Sequence, residues 1–245
     1  MLRAEVITTM RSKALKLAIA GAIAFLIGLL STIRSAPAQE PERFDMKVRT
    51  DFFAGFTGDK EALGRGMKAC EDMLAVNPKH AQALVWHGGG VLYQASGAFQ
   101  TGDQTKGREL WSRGLQEMQT AVDLDPGNVA VRIPRGAVLL TATRYMPTLD
   151  MARPLIEKGL SDYERTYELQ KPFFQNLGTH PRGELLFGLA EGYSRLGDAE
   201  KARGYFEQIR DELPDTAYAR RANLWMETRS LPLNQTGCVG CHAGK

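Results

Sequence analysis

The chain of 245 residues carries a formal net charge of +3, and the excess sits in its first 38 residues. There Arg3, Arg11, Lys13, Lys16 and Arg34 face one acid, Glu5; beyond them 26 basic residues stand against 27 acidic ones. Nucleic acid is excluded as a partner on this ground, because binding it needs a stripe of Lys and Arg interleaved with aromatics, and the later sequence has none.

Taken in order, the chain opens on basic residues, then the apolar run 17–30 (LAIAGAIAFLIGLL), then Ser35-Ala36-Pro37-Ala38. These are the three parts of a secretory signal peptide, with cleavage expected after Ala38. About 14 apolar residues fall short of the roughly 20 that a spanning helix needs. Residues 1–38 are therefore read as a cleaved leader, with an uncleaved membrane anchor as the other reading. Both export the remainder, and membrane association is expected only through an uncleaved leader.

Residues 39–229 show few strand signals and a recurring pattern of paired helices, and about 200 residues suffice for one domain with a substantial core. The spacing predicts a helix over 60–76, closed by Asn77-Pro78. A helix with Trp86, Gly90 and Tyr93 follows, ended by Gly97, and residues 98–107 (AFQTGDQTKG) are expected to form an inserted loop. The partner helix is expected over 108–124, stopped by Asp125-Pro126-Gly127-Asn128. A third pair is expected over 135–144 and 150–168, with Pro154 in the first turn of its second helix, where proline is tolerated. The clearest unit is 183–215. Leu186, Leu189, Ala190 and Tyr193 mark one helix, Gly197-Asp198 a turn, Ala202 and Phe206 a second helix, and Pro214 the stop. A last helix over 216–229 has apolar positions at helical spacing and closes the stack.

A bulky residue, a Leu, a small residue and Tyr, then Ala-x3-Phe and a late Pro, is the order of a tetratricopeptide repeat. Residues 183–215 resemble it, with Leu186 in place of the leading Trp. The resemblance covers residues ~50 to ~228 and implies an all-α fold, a right-handed helical-repeat superhelix (α-solenoid) of about four helix pairs. Its concave face would dock another protein, either a redox partner or an extended peptide tail. Gly90, Ala190 and Ala202 are expected to let helices approach, with Tyr93, Tyr193 and Phe206 packed beside them. Gly88-Gly89-Gly90 lies in a predicted helix without a following Lys-Ser/Thr, so close helix contact is its expected role rather than phosphate binding. Cys70, near Met67 and Met73, is expected to be a small buried hydrophobe. Lys68, Glu71 and Asp72 are read as a solvated face, and His80 as a solvated loop residue.

Residues 230–237 are expected to form an extended link to Cys238-Val239-Gly240-Cys241-His242. Two thiols one helical turn apart can add to the two vinyl groups on one porphyrin edge, and the imidazole that follows can reach the iron. The same spacing also suits half a zinc site, a redox pair or a disulfide. Zinc wants four ligands, whereas the only other candidates are Cys70 and the scattered His80, His87 and His180. A redox pair normally opens a helix inside a βαβ unit, and nothing like that surrounds Cys238.

The motif resembles the haem-attachment site of c-type cytochromes. That resemblance implies one covalent haem c, with thioethers at Cys238 and Cys241 and His242 as axial iron ligand. It also implies a periplasmic location, free or tethered to the outer face of the cytoplasmic membrane. The chain departs from the cytochrome pattern in that only Ala243-Gly244-Lys245 follow the motif, so the residues that wrap a porphyrin in a compact cytochrome do not come after it. A sixth ligand would come from earlier sequence. The candidates are His180 in the 178–181 loop, His87 and Met226, with an open position as the alternative. The expected work is one-electron transfer. The rival is a non-redox adaptor for assembling exported complexes, with a structural or sensory haem. An enzyme of peroxidase type would need a distal acid–base pair, and the sequence offers none.

Overall fold

The computed structural model describes residues 43–231. The expected leader and the motif at 238–242 lie outside the described residues. Nine α-helices follow one another among the described residues: α1 (Phe44–Phe56), α2 (Lys60–Val76), α3 (Ala81–Gln100), α4 (Gln104–Leu124), α5 (Val129–Ala142), α6 (Leu149–Gln170), α7 (Thr179–Leu196), α8 (Ala199–Glu212) and α9 (Ala217–Thr228). Short 3-10 turns, Thr143–Tyr145 and Lys171–Asn176, lie between α5 and α6 and between α6 and α7. No strand occurs among the described residues. None of the helices is long and apolar enough to cross a membrane.

Short polar side chains start most of these helices. Asp59, Asp103, Asn128, Thr148, Asp198 and Thr216 each accept a hydrogen bond from an amide of the following first turn. Such a cap satisfies one of the four donors a helix start leaves open and contributes about 1 kcal/mol. His80 does the same for α3: its Nδ1 accepts from the Ala83 amide at 3.1 Å, and its ring meets Phe44 edge-on at 5.0 Å. It is therefore a cap and a packing residue rather than a solvated loop residue.

Three of the four within-pair turns share one solution. Gly58-Asp59, Gly102-Asp103 and Gly197-Asp198 each place a glycine at positive φ (113°, 85° and 87°) and an aspartate at the start of the next helix. A residue without Cβ takes up that backbone at little cost. This corrects the loop expected over 98–107. Helix α3 runs past Gly97 to Gln100, the Thr101 amide donates to the Gly97 carbonyl, and α4 begins at Gln104. A glycine inside a helix costs only about 1 kcal/mol, and the burial of Ala95 and Ala98 on either side holds the helix together. The third pair also differs at its edges. Asn128 starts α5 at Val129 rather than 135, and Pro134 and Pro154 both lie inside their helices, beyond the first turn. Each proline removes one backbone donor, which buried neighbours such as Val131 and Ile156 offset.

α1 packs on α2, α3 on α4, α5 on α6 and α7 on α8, while the first helix of each pair also packs on the first helix of the next. α9 closes the row against α8, as expected for 216–229. Within the second pair, glycine lets the backbones touch. A Cβ on Gly88 would lie 2.8 Å from the Gly114 carbonyl oxygen, and on the side of the first pair one on Gly90 would strike the Met67 sulfur and the Phe52 ring. The glycine triplet thus serves helix contact, as expected.

The buried side chains form two clusters that meet at α5. Val48, Phe52, Met67, Cys70, Val85, Met118 and Leu139 belong to the first, and Leu140, Ile156, Leu186, Leu189, Phe206 and Trp225 to the second. Each large side chain so buried contributes about 1.5–3 kcal/mol. Phe206 is fully buried and stacked on Trp225 at 4.6 Å, whereas Tyr193 is half-buried at the margin, its ring stacked on Tyr205 at 5.9 Å.

Candidate functional site

The attachment residues read from the sequence, Cys238, Cys241 and His242, lie outside the described residues. The three candidate sixth ligands fall in three separate places. His87 sits in the middle of α3, 3% exposed, between α2 and α4. Its Nδ1 meets Glu117 Oε2 of α4 at 2.5 Å, and its Nε2 faces Glu71 Oε1 of α2 at 3.8 Å. His180 is exposed and stands in the first turn of α7 rather than in a loop, with Nδ1 3.0 Å from the Tyr218 hydroxyl of α9. Met226 is half-buried, packed by α9 against the second cluster. The structure does not bring these side chains together. Among the described residues no group of three or more His, Cys, Asp or Glu side chains is arranged to hold a metal ion.

The surroundings of His87 set its chemistry. Arg113 Nε donates to the other oxygen of Glu117 at 2.8 Å. Burial pushes the Glu117 carboxyl up, but hydrogen bonds and charge from His87 and Arg113 outweigh it and leave the pKa below its ordinary value of 4.5. Cys70 of α2 is fully buried; burial, with the charges of Glu71 and Glu117, pushes its thiol up to about 12. A thiol acts as a nucleophile only as thiolate, so Cys70 is inert packing, as the sequence implied. Lys68 and Asp72 pair on the exposed side of the same helix, while Glu71 is exposed but also faces His87.

Two more charged constellations tie the pairs together. Asp162 of α6, fully buried, accepts from Arg135 Nε at 2.6 Å and from Arg132 Nη1 at 2.8 Å, both of α5; Arg135 also reaches Gln119 of α4 at 3.0 Å. Arg144, just beyond α5, meets Glu191 of α7 through two hydrogen bonds, 2.8 and 2.6 Å, with both side chains almost fully buried. Arg195 of α7 then donates to the Leu140 carbonyl at 2.7 Å. Burying such charges is costly unless each is fully hydrogen-bonded, and these are. Arg144 and Glu191 also line a cleft between α5, α7 and α9, together with Tyr163 and Arg221, with a volume of about 20 Å³. That is room for about one water. A small-molecule site needs some 300–1,000 Å³, and a porphyrin needs more than one water's space, so this cleft is a polar seam between helices.

These constellations escaped the sequence reading, although a signal was present. His87 falls between Ala83 and Val91, Arg135 between Val131 and Leu139, and Glu191 four residues after Phe187. Each is a charged or titratable residue occupying the apolar stripe of its helix, a pattern that marks a paired buried group. No family model, curated protein or solved structure matches the chain.

Proposed function

We propose that this chain is an exported, haem c-binding protein of tetratricopeptide type that passes single electrons to or from a protein partner. The observation that carries the reading is the run Cys238-Val239-Gly240-Cys241-His242. Its donor set, two thiols at a three-residue interval and an adjoining imidazole, suits covalent attachment and axial ligation of haem and is incomplete for structural zinc. Once bound, the iron would supply one-electron chemistry. Cys238, Cys241 and His242 would hold it, with the link 230–237 joining it to the helical body.

The superhelical reading is supported by the order of packing, in which first helices stack on first helices. It is also supported by the unit that opens with α7, whose start at Thr179 and the start of α9 at Ala217 lie 38 residues apart, close to the roughly 34 residues of one tetratricopeptide unit. The second pair is longer, with helices of 20 and 21 residues, so its fit to that unit is looser. The concave side of such a row is the surface for the partner, and the leader read at 1–38 would deliver the chain to the periplasm.

The test is a pyridine haemochrome spectrum on protein exported alongside a haem-attachment system, compared with a Cys238→Ala/Cys241→Ala variant. A c-type band that resists acid-acetone extraction and is lost in the variant is the expected result. Exported protein without covalent haem would leave the two cysteines as a disulfide or metal clip and sink the electron-transfer reading.

A further inference from the structure

The cleft between α5, α7 and α9 holds a charged group that the fold leaves unsatisfied. Arg221 of α9 lines it, with the guanidinium carbon 5.4 Å from the centre of the Phe187 ring of α7. The Nη1 of Arg221 is buried and has no hydrogen-bond partner among the described residues. Buried polar atoms are nearly always partnered, so an exception calls for an explanation. The cost of an orphaned donor is larger when the group is charged. A neighbouring ring attracts the charge but gives that N–H no oxygen to bond.

The acceptors around the cleft are engaged elsewhere. Glu191 binds Arg144 through both of its oxygens and lies 3.7 Å from Arg195. The Tyr163 hydroxyl donates to Glu184 at 3.3 Å, and the Tyr218 hydroxyl meets His180 at 3.0 Å. The charges do not balance. The guanidiniums of Arg144, Arg195 and Arg221 stand against the carboxylates of Glu184 and Glu191, which leaves one positive charge in excess. Protonation of His180 would add to it. Leu140, Tyr163 and Phe187, all buried, form apolar walls, and such walls weaken the screening of that charge by solvent.

Size decides what can balance it. The volume of about 20 Å³ is somewhat more than the roughly 10–15 Å³ that one water needs. Phosphate, sulfate and carboxylates have too many heavy atoms for that space. A halide carries one negative charge in a single sphere slightly larger than water and accepts hydrogen bonds from any direction. We propose that this cleft binds one chloride ion, held by Arg221 Nη1, which completes the charge balance between α5, α7 and α9. The site stands apart from the electron-transfer reading and does not depend on it.

The experiment follows urea unfolding of the full chain at fixed ionic strength, exchanging sodium chloride for sodium gluconate, whose anion is too large for the cleft. Raising chloride about tenfold is expected to raise the folding equilibrium constant severalfold, approaching tenfold well above the dissociation constant. The dependence is expected to vanish in Arg221→Gln. A native chain indifferent to chloride overturns the proposal and assigns the Nη1 hydrogen bond to water. An equal dependence in native chain and variant also overturns it, because chloride then acts elsewhere. Where the variant fails to fold, crystals of the native chain soaked in sodium bromide decide. An anomalous peak within hydrogen-bond distance of Arg221 Nη1 upholds the site, and no peak there overturns it.

Discussion

His87 shows how a single titratable side chain is made structural. Its ring is enclosed by three helices, with Glu117 and Arg113 of α4 on one side and Glu71 of α2 on the other. The depressed Glu117 pKa has a definite sign for stability. A carboxyl whose folded pKa lies below its unfolded value stabilises the fold above that unfolded value, and the contribution fades as pH falls through the folded pKa. Glu117→Gln should therefore cost about 1.5–3 kcal/mol at neutral pH by urea unfolding. The deficit relative to wild type should shrink once the pH drops below about 4.5. A deficit that stays constant from pH 7 to pH 3 would mean that the pair contributes through shape alone. Sequence reasoning could name His87 as unusual, but not its partners. Glu117 lies 30 residues away on another helix, and no periodicity within one helix encodes which carboxylate the fold brings across.

The helices themselves were far more legible, because each is specified locally. The 60–76 helix was read with the same bounds as α2, and Gly197-Asp198 was identified as a turn from its two residue types. Gly102-Asp103 has the same chemistry but sits in AFQTGDQTKG, where exposed polar positions at the end of α3 and the start of α4 carry no apolar period. The polar composition points to a loop there, although the turn chemistry is present. The shared solution predicts a shared cost. Asp103→Ala and Asp198→Ala should each lose about 1 kcal/mol of stability in denaturant titrations, the value of a helix-starting side chain. Loss at Asp198 alone would show that α4 is held by its packing on α3, with its cap contributing little.

Across the whole molecule, the division of the core at α5 is the feature the sequence did not reveal. Leu139 and Leu140 are neighbours in the chain, yet the first packs toward α1–α4 and the second toward α6–α9. Both are large apolar residues in one helix, and only the tertiary arrangement of α5 between two halves gives them different partners. Truncation to alanine should cost about 2–5 kcal/mol at either site. Amide exchange should separate them: Leu139→Ala is expected to loosen α1–α4 preferentially and Leu140→Ala α6–α9. Equal loosening of both halves by both variants would show that the two clusters unfold as one unit. The all-helical class was legible from periodicity, and the haem reading from five residues; how the halves share α5 lay in contacts between distant segments.

The burial of Cys70 has a consequence for the protein's response to oxidants. A folded body that keeps this sulfur out of solvent and far from thiolate form removes it from every exchange reaction open to cysteines. An odd third thiol is a usual source of scrambled or intermolecular cross-links, and here the folded body buries it. Thiol labelling of the native protein should therefore leave Cys70 unmodified, and any label on it timestamps unfolding.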